Sequence, residues 1–154
     1  MTLFAFESFE EPRRRKLFTL LEVDYFSTHR FWVNIPLTAV AGIAVALIFS
    51  PADQLVSQVL VGLGFGLLII VSSFIHGLGH IISSRMVKAP MKSLIMTATV
   101  NVTHFEDMGE QSSRVHVGRS LGGPVLNLIL GVLAIAIYLI ALDSYFLLFF
   151  GIVN

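Results

Sequence analysis

The chain has 154 residues, of which 55% are hydrophobic and only 13% are charged, with no net charge at neutral pH. A soluble domain of this size carries about 25% charged residues, so the composition points to a lipid environment. The sequence contains no cysteine, which excludes disulfides, thiolate metal sites and cysteine nucleophiles.

Residues 1–33 mix aromatic and apolar side chains with acidic residues and the basic run Arg13–Lys16. The acidic residues interrupt any apolar core near the start, which argues against a signal peptide. After Pro12, the pattern predicts an amphipathic helix from about Arg14 to Tyr25, lying on the membrane surface through its aromatic and leucine side. The alternative is a frayed tail. We treat residues 1–33 as a separate, cytoplasmic N-terminal segment.

Three uncharged stretches, at residues 31–50, 55–84 and 120–142, each reach the roughly 20 residues that span a bilayer as a helix. The second exceeds that length, so we expect it to tilt or to project at one end. Gly62 and Gly66 within it form a small-xxx-small pattern that favours close helix packing. Pro51 and Asp53 predict a turn after the first span.

The predicted fold class is an all-α polytopic membrane protein with three transmembrane helices and a partial fourth hydrophobic segment, residues 144–154. The membrane core covers residues 34–154. A change of period at residues 93–103 interrupts it, where apolar and polar side chains alternate through Val100 and Val102. This alternation predicts a strand or hairpin within a region at residues 89–119.

The basic residues partition cleanly along the chain, because all ten lie before the first span or between the second and the third. The positive-inside rule therefore places the N-terminus and residues 85–119 on the cytoplasmic side of an integral, multi-pass membrane protein. Lipid headgroups and topology account for the run Arg13–Lys16, so we expect no nucleic-acid partner.

His76 and His80 end the second span and are spaced i, i+4, which puts both imidazoles on one helix face where they can meet on one metal ion. Zincins use this spacing with a glutamate directly after the first histidine, and that glutamate deprotonates the metal-bound water. Gly77 occupies this position here. The simpler alternative is a pair of histidines that face the membrane interface or bond to neighbouring backbone.

The segment His76–His80, HGLGH, resembles the HExxH motif of the site-2 proteases, a family of intramembrane zinc metalloproteases, with one residue changed. Residues 123–127, GPVLN, resemble the G-P-x-x-N motif that lies beside the active site in that family. The intervening strand is similar to the family's cytosolic strand region, and the resemblance covers roughly residues 35–154. It implies metal ligation by His76 and His80, and contact with a substrate or partner at Gly123, Pro124, Asn127, Val100 and Val102.

The departures from the family matter as much as the resemblance. Gly77 cannot act as a base, and losing a positioned general base costs about 10²–10⁴ in rate. The family's third zinc ligand comes from an L-D-G motif on a later helix, beyond Asn154, so we interpret the chain as a degenerate, C-terminally shortened member. Leu142–Asp143 is superficially similar but lies about 34 Å away, across the third span. The candidates for a substitute ligand or base on the cytoplasmic side are His104, Glu106, Asp107, Glu110 and His116, and another chain is the alternative source of ligands.

Three functions follow from this pattern. The leading one is a catalytically inactive relative of site-2 proteases that serves as a binding or structural subunit in a membrane complex, with the strand holding an extended segment by β-augmentation. Its expected partners are other integral membrane proteins and the lipid bilayer, and no cofactor is expected. The second is a zinc-binding or conditionally active metalloprotease. The third is a small subunit of an energy-converting complex in which His76 or His80 ligates haem or chlorophyll.

Overall fold

The computed structural model of the chain describes residues 14–50, 54–105, 110–140 and 144–154. The turn predicted at Pro51 and Asp53, the candidate ligands Glu106 and Asp107, and Leu142–Asp143 lie outside the described residues. The elements in chain order are β1 (Arg15–Leu20), β2 (Val23–Ser27), a 3-10 turn (Phe31–Val33), α1 (Asn34–Phe49), α2 (Leu55–Met86), β3 (Met91–Met96), β4 (Asn101–Phe105), α3 (Ser113–Ile140) and α4 (Tyr145–Val153).

In the part of the chain that the structure describes, three helical segments are long and apolar enough to cross a membrane: Phe31–Phe49, Leu55–Met86 and Ser113–Ile140. They confirm the predicted fold class, and the short helix α4 is the partial fourth segment. The third helix begins at Ser113 rather than at residue 120, so residues 113–119 are helical and do not belong to the strand region. Arg114 and Arg119 lie in its first turns, which is why the uncharged run alone placed the start too late.

The predicted surface helix at residues 14–25 is wrong, because this segment forms the antiparallel hairpin β1–β2. Leu21 and Glu22 connect the strands with φ angles of 49° and 58°, the left-handed geometry of a tight hairpin turn. Val23 and Tyr25 alternate with less buried residues along β2, as expected of a strand with one packed face. The aromatic and leucine side chains of residues 14–25 therefore belong to a sheet and not to a helix on the membrane surface.

The four strands of the described residues form one sheet in the order β1-β2-β3-β4. Strands β2 and β3 are parallel, with Tyr25 opposite Leu94, and helices α1 and α2 form the connection between them. The strand predicted at residues 93–103 is a hairpin, since residues 97–100 turn between β3 and β4. Thr97 stabilises this turn by donating its hydroxyl to the Val100 carbonyl at 2.6 Å.

Glycines bring the first two long helices into backbone contact, as the small-xxx-small pattern predicted. A Cβ on Gly66 would lie 2.8 Å from the Thr38 carbonyl oxygen, and a Cβ on Gly62 would lie 2.8 Å from the Ile43 nitrogen. Helix α4 packs on α2 through the stacked rings of Phe149 and Phe65, whose centroids are 4.1 Å apart. A second apolar core joins the sheet to the far end of α2; it consists of Val23, Tyr25, Ile81, Met91 and Leu94.

Candidate functional site

The two histidines of α2 meet where this helix crosses α3. His76 and His80 are one turn apart, and their Nε2 atoms lie 3.1 Å from each other, with the rings inclined at 75°. At 1.5 Å per residue, His76 is about 32 Å along the axis from Leu55, close to the roughly 30 Å thickness of a bilayer's hydrocarbon core. The pair therefore lies near the end of the part of α2 that the bilayer can enclose.

The orientation of His80 is fixed by backbone. Its Nδ1 lies 2.8 Å from the Arg119 carbonyl oxygen, which only accepts hydrogen bonds, so Nδ1 carries the proton and donates it. Nε2 of His80 then presents a lone pair toward His76. This lone pair accepts a hydrogen bond from the Nε2–H of His76, or both Nε2 lone pairs face one cation. A second hydrogen bond that fixes the ring in this way is usual for histidine metal ligands.

Gly123 on α3 makes room for both imidazoles. A Cβ at this position would lie 2.5 Å from Nε2 of His76 and 2.6 Å from Nε2 of His80. The helix backbones are close at the same level, since a Cβ on Gly79 would lie 2.9 Å from the Gly123 Cα. Of the residues predicted from the G-P-x-x-N resemblance, Gly123 is thus the one that directly faces the histidine pair.

The pair fits two ligands of a zinc ion. Two nitrogens at about 2.1 Å from a tetrahedral zinc are about 3.4 Å apart, so the observed 3.1 Å needs only a small adjustment. Within the described ranges, no three His, Asp or Glu residues cluster closely enough to hold a metal ion. The candidate third ligands His104, Glu110 and His116 are all exposed, and His116 is the one of them that lines a cavity together with His80. The described residues therefore supply two ligands, and no step that depends on zinc follows from them.

Position 77, where the HExxH motif has its glutamate, faces the sheet. Gly77 is buried, and a Cβ added there would lie 2.9 Å from Cδ1 of Leu94 in strand β3. Leu94 is 2% exposed and belongs to the core between the sheet and α2. A side chain at position 77 would thus first meet the tip of this core leucine.

The remaining predicted contact residues are spread around the pair. The Asn127 side-chain amide donates to the Ser72 hydroxyl at 3.4 Å, and Ser72 donates to the Asn154 side chain at 2.8 Å. Pro124 is exposed on α3. Val100 lies in the hairpin turn with 52% of its surface exposed, and Val102 is half-buried in β4. Asn127 is thus linked through Ser72 to the helix that carries the histidines, whereas Pro124, Val100 and Val102 lie outside this hydrogen-bonded set.

Two residues that sequence reasoning missed also belong to the site. Ser72 precedes His76 by four residues, so Ser72, His76 and His80 form one polar stripe on α2, and this spacing was readable from the sequence. Arg119 is 4% exposed, and its guanidinium lies 4.1 Å from the centroid of the Phe105 ring. It also donates to Nδ1 of His116 at 3.2 Å. The only feature of the sequence that indicated a role for Arg119 was the presence of a charged residue at the start of an apolar helix.

Together, these elements define a class: a membrane protein with three long apolar helices, a small sheet against one of them, and a histidine pair at a glycine-lined helix crossing. The solved structure of the site-2 protease from Methanocaldococcus jannaschii has a similar fold, with a TM-score of 0.59 and 15% sequence identity. The similarity covers 92% of this chain and 60% of that protein, so the chain spans less than two thirds of its length. No protein-family model and no curated protein matches the sequence.

Proposed function

We propose that this chain is a site-2-protease-like membrane protein without proteolytic activity, which serves as a binding or structural subunit for other membrane proteins. The observation that carries this proposal is Gly77 packed against Leu94. Hydrolysis by an HExxH site needs a carboxylate after the first histidine to take a proton from the attacking water. Glycine has no side chain to accept that proton, and the nearest atom to a Cβ added there is a methyl group of Leu94.

The proposed binding surface is the free edge of strand β4. Among the described strands β4 is at the end of the sheet, so its outer backbone amides and carbonyls are available to an extended segment. Such a segment would gain main-chain hydrogen bonds by β-augmentation. The exposed apolar residues of the long helices fit a lipid bilayer or a partner helix. In this proposal the N-terminus and residues 85–119 are cytoplasmic, as the positions of Lys and Arg favour.

The activity test uses the full chain in lipid nanodiscs with a fluorescent model transmembrane peptide. We expect no cleavage by the natural chain, because position 77 carries no group that can take a proton from water. Cleavage that appears in Gly77→Glu would show that the missing carboxylate limits activity, and cleavage that appears only in Gly77→Glu/Leu94→Ala would show that the Leu94 side chain also has to make room. Cleavage by the natural chain that disappears in His76→Ala but persists in His104→Ala would refute the proposal.

The binding test uses the absence of cysteine in the natural chain. A single Val102→Cys change carries a photo-crosslinker on β4, and Leu128→Cys, at an exposed position on α3, is the matched control. The proposal expects the model peptide to crosslink at residue 102 more strongly than at residue 128. Equal crosslinking at both positions would argue against a binding role for the β4 edge.

Zinc binding without hydrolysis is a second candidate, favoured by the lone pair that the His80–Arg119 hydrogen bond directs toward His76. Metal content of the purified chain tests it. Stoichiometric zinc that is lost in His80→Ala and retained in His104→Ala would establish a metal site. Zinc below one tenth of the protein concentration after purification without chelators would exclude tight binding. Haem or chlorophyll ligation stays a prediction, and no contact among the described residues favours it.

A further inference from the structure

An apolar groove of about 260 Å³ lies along the crossing of α2 and α3. Its bottom is formed by backbone, because a Cβ on Gly79 would clash with the Gly122 carbonyl oxygen. Its sides are apolar side chains of both helices: Ile82, Met86, Leu121, Val125 and Ile129. These five side chains are between 46% and 78% exposed, so none of the described elements covers the groove.

The groove and the histidine pair lie on opposite sides of α3. Gly123 faces the imidazoles, whereas Val125, two residues and about 200° further around the helix, lines the groove. Among the lining residues, Ser83 is the one with a polar side chain, and its hydroxyl donates to the Arg119 carbonyl at 3.2 Å. The groove therefore presents hydrocarbon to its occupant.

The length of the groove matches one leaflet of a bilayer. Gly118 and Ile129 line its two ends on α3, and they are eleven residues or about 16 Å apart along the helix axis. Half of a hydrocarbon core of roughly 30 Å is about 15 Å. A transmembrane helix of another protein would need a surface that crosses both leaflets, so the length favours a lipid acyl chain.

Two exposed cations lie at the end of the groove that is nearer the start of α3. Arg114 precedes Gly118 by four residues, so it lies one turn beyond the groove on the same face of the helix. Lys88 follows Val87, and a Cβ on Gly118 would clash with the Val87 side chain, so Lys88 lies beside the same end. In the part of the chain that the structure describes, neither cation forms an ion pair. Helix α3 begins at Ser113, and its N-terminus adds a partial positive charge here.

We propose that this groove binds an anionic phospholipid, with one acyl chain along α3 from Gly118 to Ile129 and the headgroup phosphate at Arg114 and Lys88. Arg114 is about 39 Å along α3 from Ile140. Since the hydrocarbon core takes up about 30 Å and the bilayer with its headgroups about 40–45 Å, Arg114 lies at the level of the headgroups. The cytoplasmic leaflet is rich in anionic lipids, which agrees with the cytoplasmic side proposed for residues 85–119.

Photo-crosslinking tests the site on the full chain in nanodiscs of neutral lipid. The probes are phosphatidylglycerol and phosphatidylcholine, each with the same diazirine-bearing acyl chain and added at the same low mole fraction. We expect phosphatidylglycerol to label the groove residues about fivefold or more over phosphatidylcholine, because one cation near the headgroup favours an anionic lipid about fivefold. Arg114→Gln should lower this preference about fivefold, and Arg15→Gln, an exposed arginine on β1, is the matched control and should leave it unchanged. Equal labelling by the two lipids would overturn the proposal.

A second pair of variants tests where the acyl chain lies. Val125→Trp fills the groove, so it should abolish most of the labelling at Ile82 and Met86. Val132→Trp, at an exposed position on α3 that does not line the groove, is its control and should preserve the labelling. Labelling that persists in Val125→Trp would contradict the proposed position of the chain. A disulfide between two copies of Leu121→Cys would show that a second copy occupies the groove, and would also overturn the proposal.

Discussion

Replacing Gly123 by alanine tests the geometry of the histidine site directly. The new methyl group would lie 2.5 Å from Nε2 of His76 and 2.6 Å from Nε2 of His80, well inside van der Waals contact. Neither imidazole can retreat easily, because Nδ1 of His80 is bonded to the Arg119 carbonyl and His76 lies against His80. The helices α2 and α3 must therefore separate, or the rings must leave their rotamers.

The expected cost of Gly123→Ala is that of overpacking a tight contact, about 1–3 kcal/mol. For a chain of this length that corresponds to a fall in melting temperature of about 2–12 °C, measurable by thermal unfolding in detergent with a fluorescent reporter. The same change in a His76→Ala background should cost about half as much, because one of the two clashes is gone. In a His76→Ala/His80→Ala background it should cost little.

The control is the pair Gly123→Ala and His104→Ala, since His104 is an exposed histidine on β4 and has no contact with α3 among those described. We expect the effects of these two changes to add. Residues in contact typically show coupling energies of about 0.5 kcal/mol or more, so the coupling between Gly123→Ala and His76→Ala should be larger than that between Gly123→Ala and His104→Ala. If Gly123→Ala costs the same with and without His76, the imidazoles do not lie where the structure places them, and the reasoning fails.

Three further predictions concern the β1–β2 hairpin. Lys16 lies 2.6 Å from Asp24 and lowers the pKa of the Asp24 carboxyl. The stabilisation from this ion pair is therefore present above the ordinary pKa of aspartate and is lost as the pH falls through the lowered pKa of the folded state. Asp24→Asn should flatten the acid side of a plot of melting temperature against pH. Leu21→Gly should raise the melting temperature by about 1–3 °C, because glycine adopts the left-handed turn without strain. Arg85 donates to the Leu21 carbonyl and pairs with Glu22 at 3.2 Å, so Arg85→Ala should speed hydrogen exchange at this turn while leaving exchange in α3 unchanged.

The helices were predictable from the sequence because their signal is local. An uncharged run of about 20 residues has few alternatives to a spanning helix, and the glycine spacing at Gly62 and Gly66 marks a close contact whatever its partner. Among the three spanning helices, the start of α3 was misplaced, because charged residues in its first turns delay the beginning of the uncharged run.

The sheet was not predictable in the same way, because its central pairing is remote in sequence. Strand β2 lies beside β3, and the Thr28 amide donates to the Met96 carbonyl at 3.0 Å. Taken alone, residues 14–25 carry an apolar pattern that also suits an amphipathic helix. Tertiary pairing with β3, and the two left-handed residues of the turn, decided the outcome.

The histidine site was likewise predictable only in part from the local sequence. The i, i+4 spacing of His76 and His80 predicted that their rings converge, and the structure places the two Nε2 atoms 3.1 Å apart. The contacts that orient and enclose the pair come from elsewhere: the Arg119 carbonyl and Gly123 lie on α3. Such contacts depend on the register between two helices, which no local pattern in a single sequence encodes.

Position 77 shows how the sheet and the site depend on each other. The tip of Leu94 lies beside Gly77, and the same leucine packs with Val23 and Ile81 in the core that attaches the sheet to α2. Among the described residues, a Cβ at position 77 would meet the Cδ1 methyl at the tip of Leu94, so a glutamate there requires that side chain to shift within the core. The change that would restore a base therefore alters the packing that attaches the sheet whose edge is proposed to bind a partner.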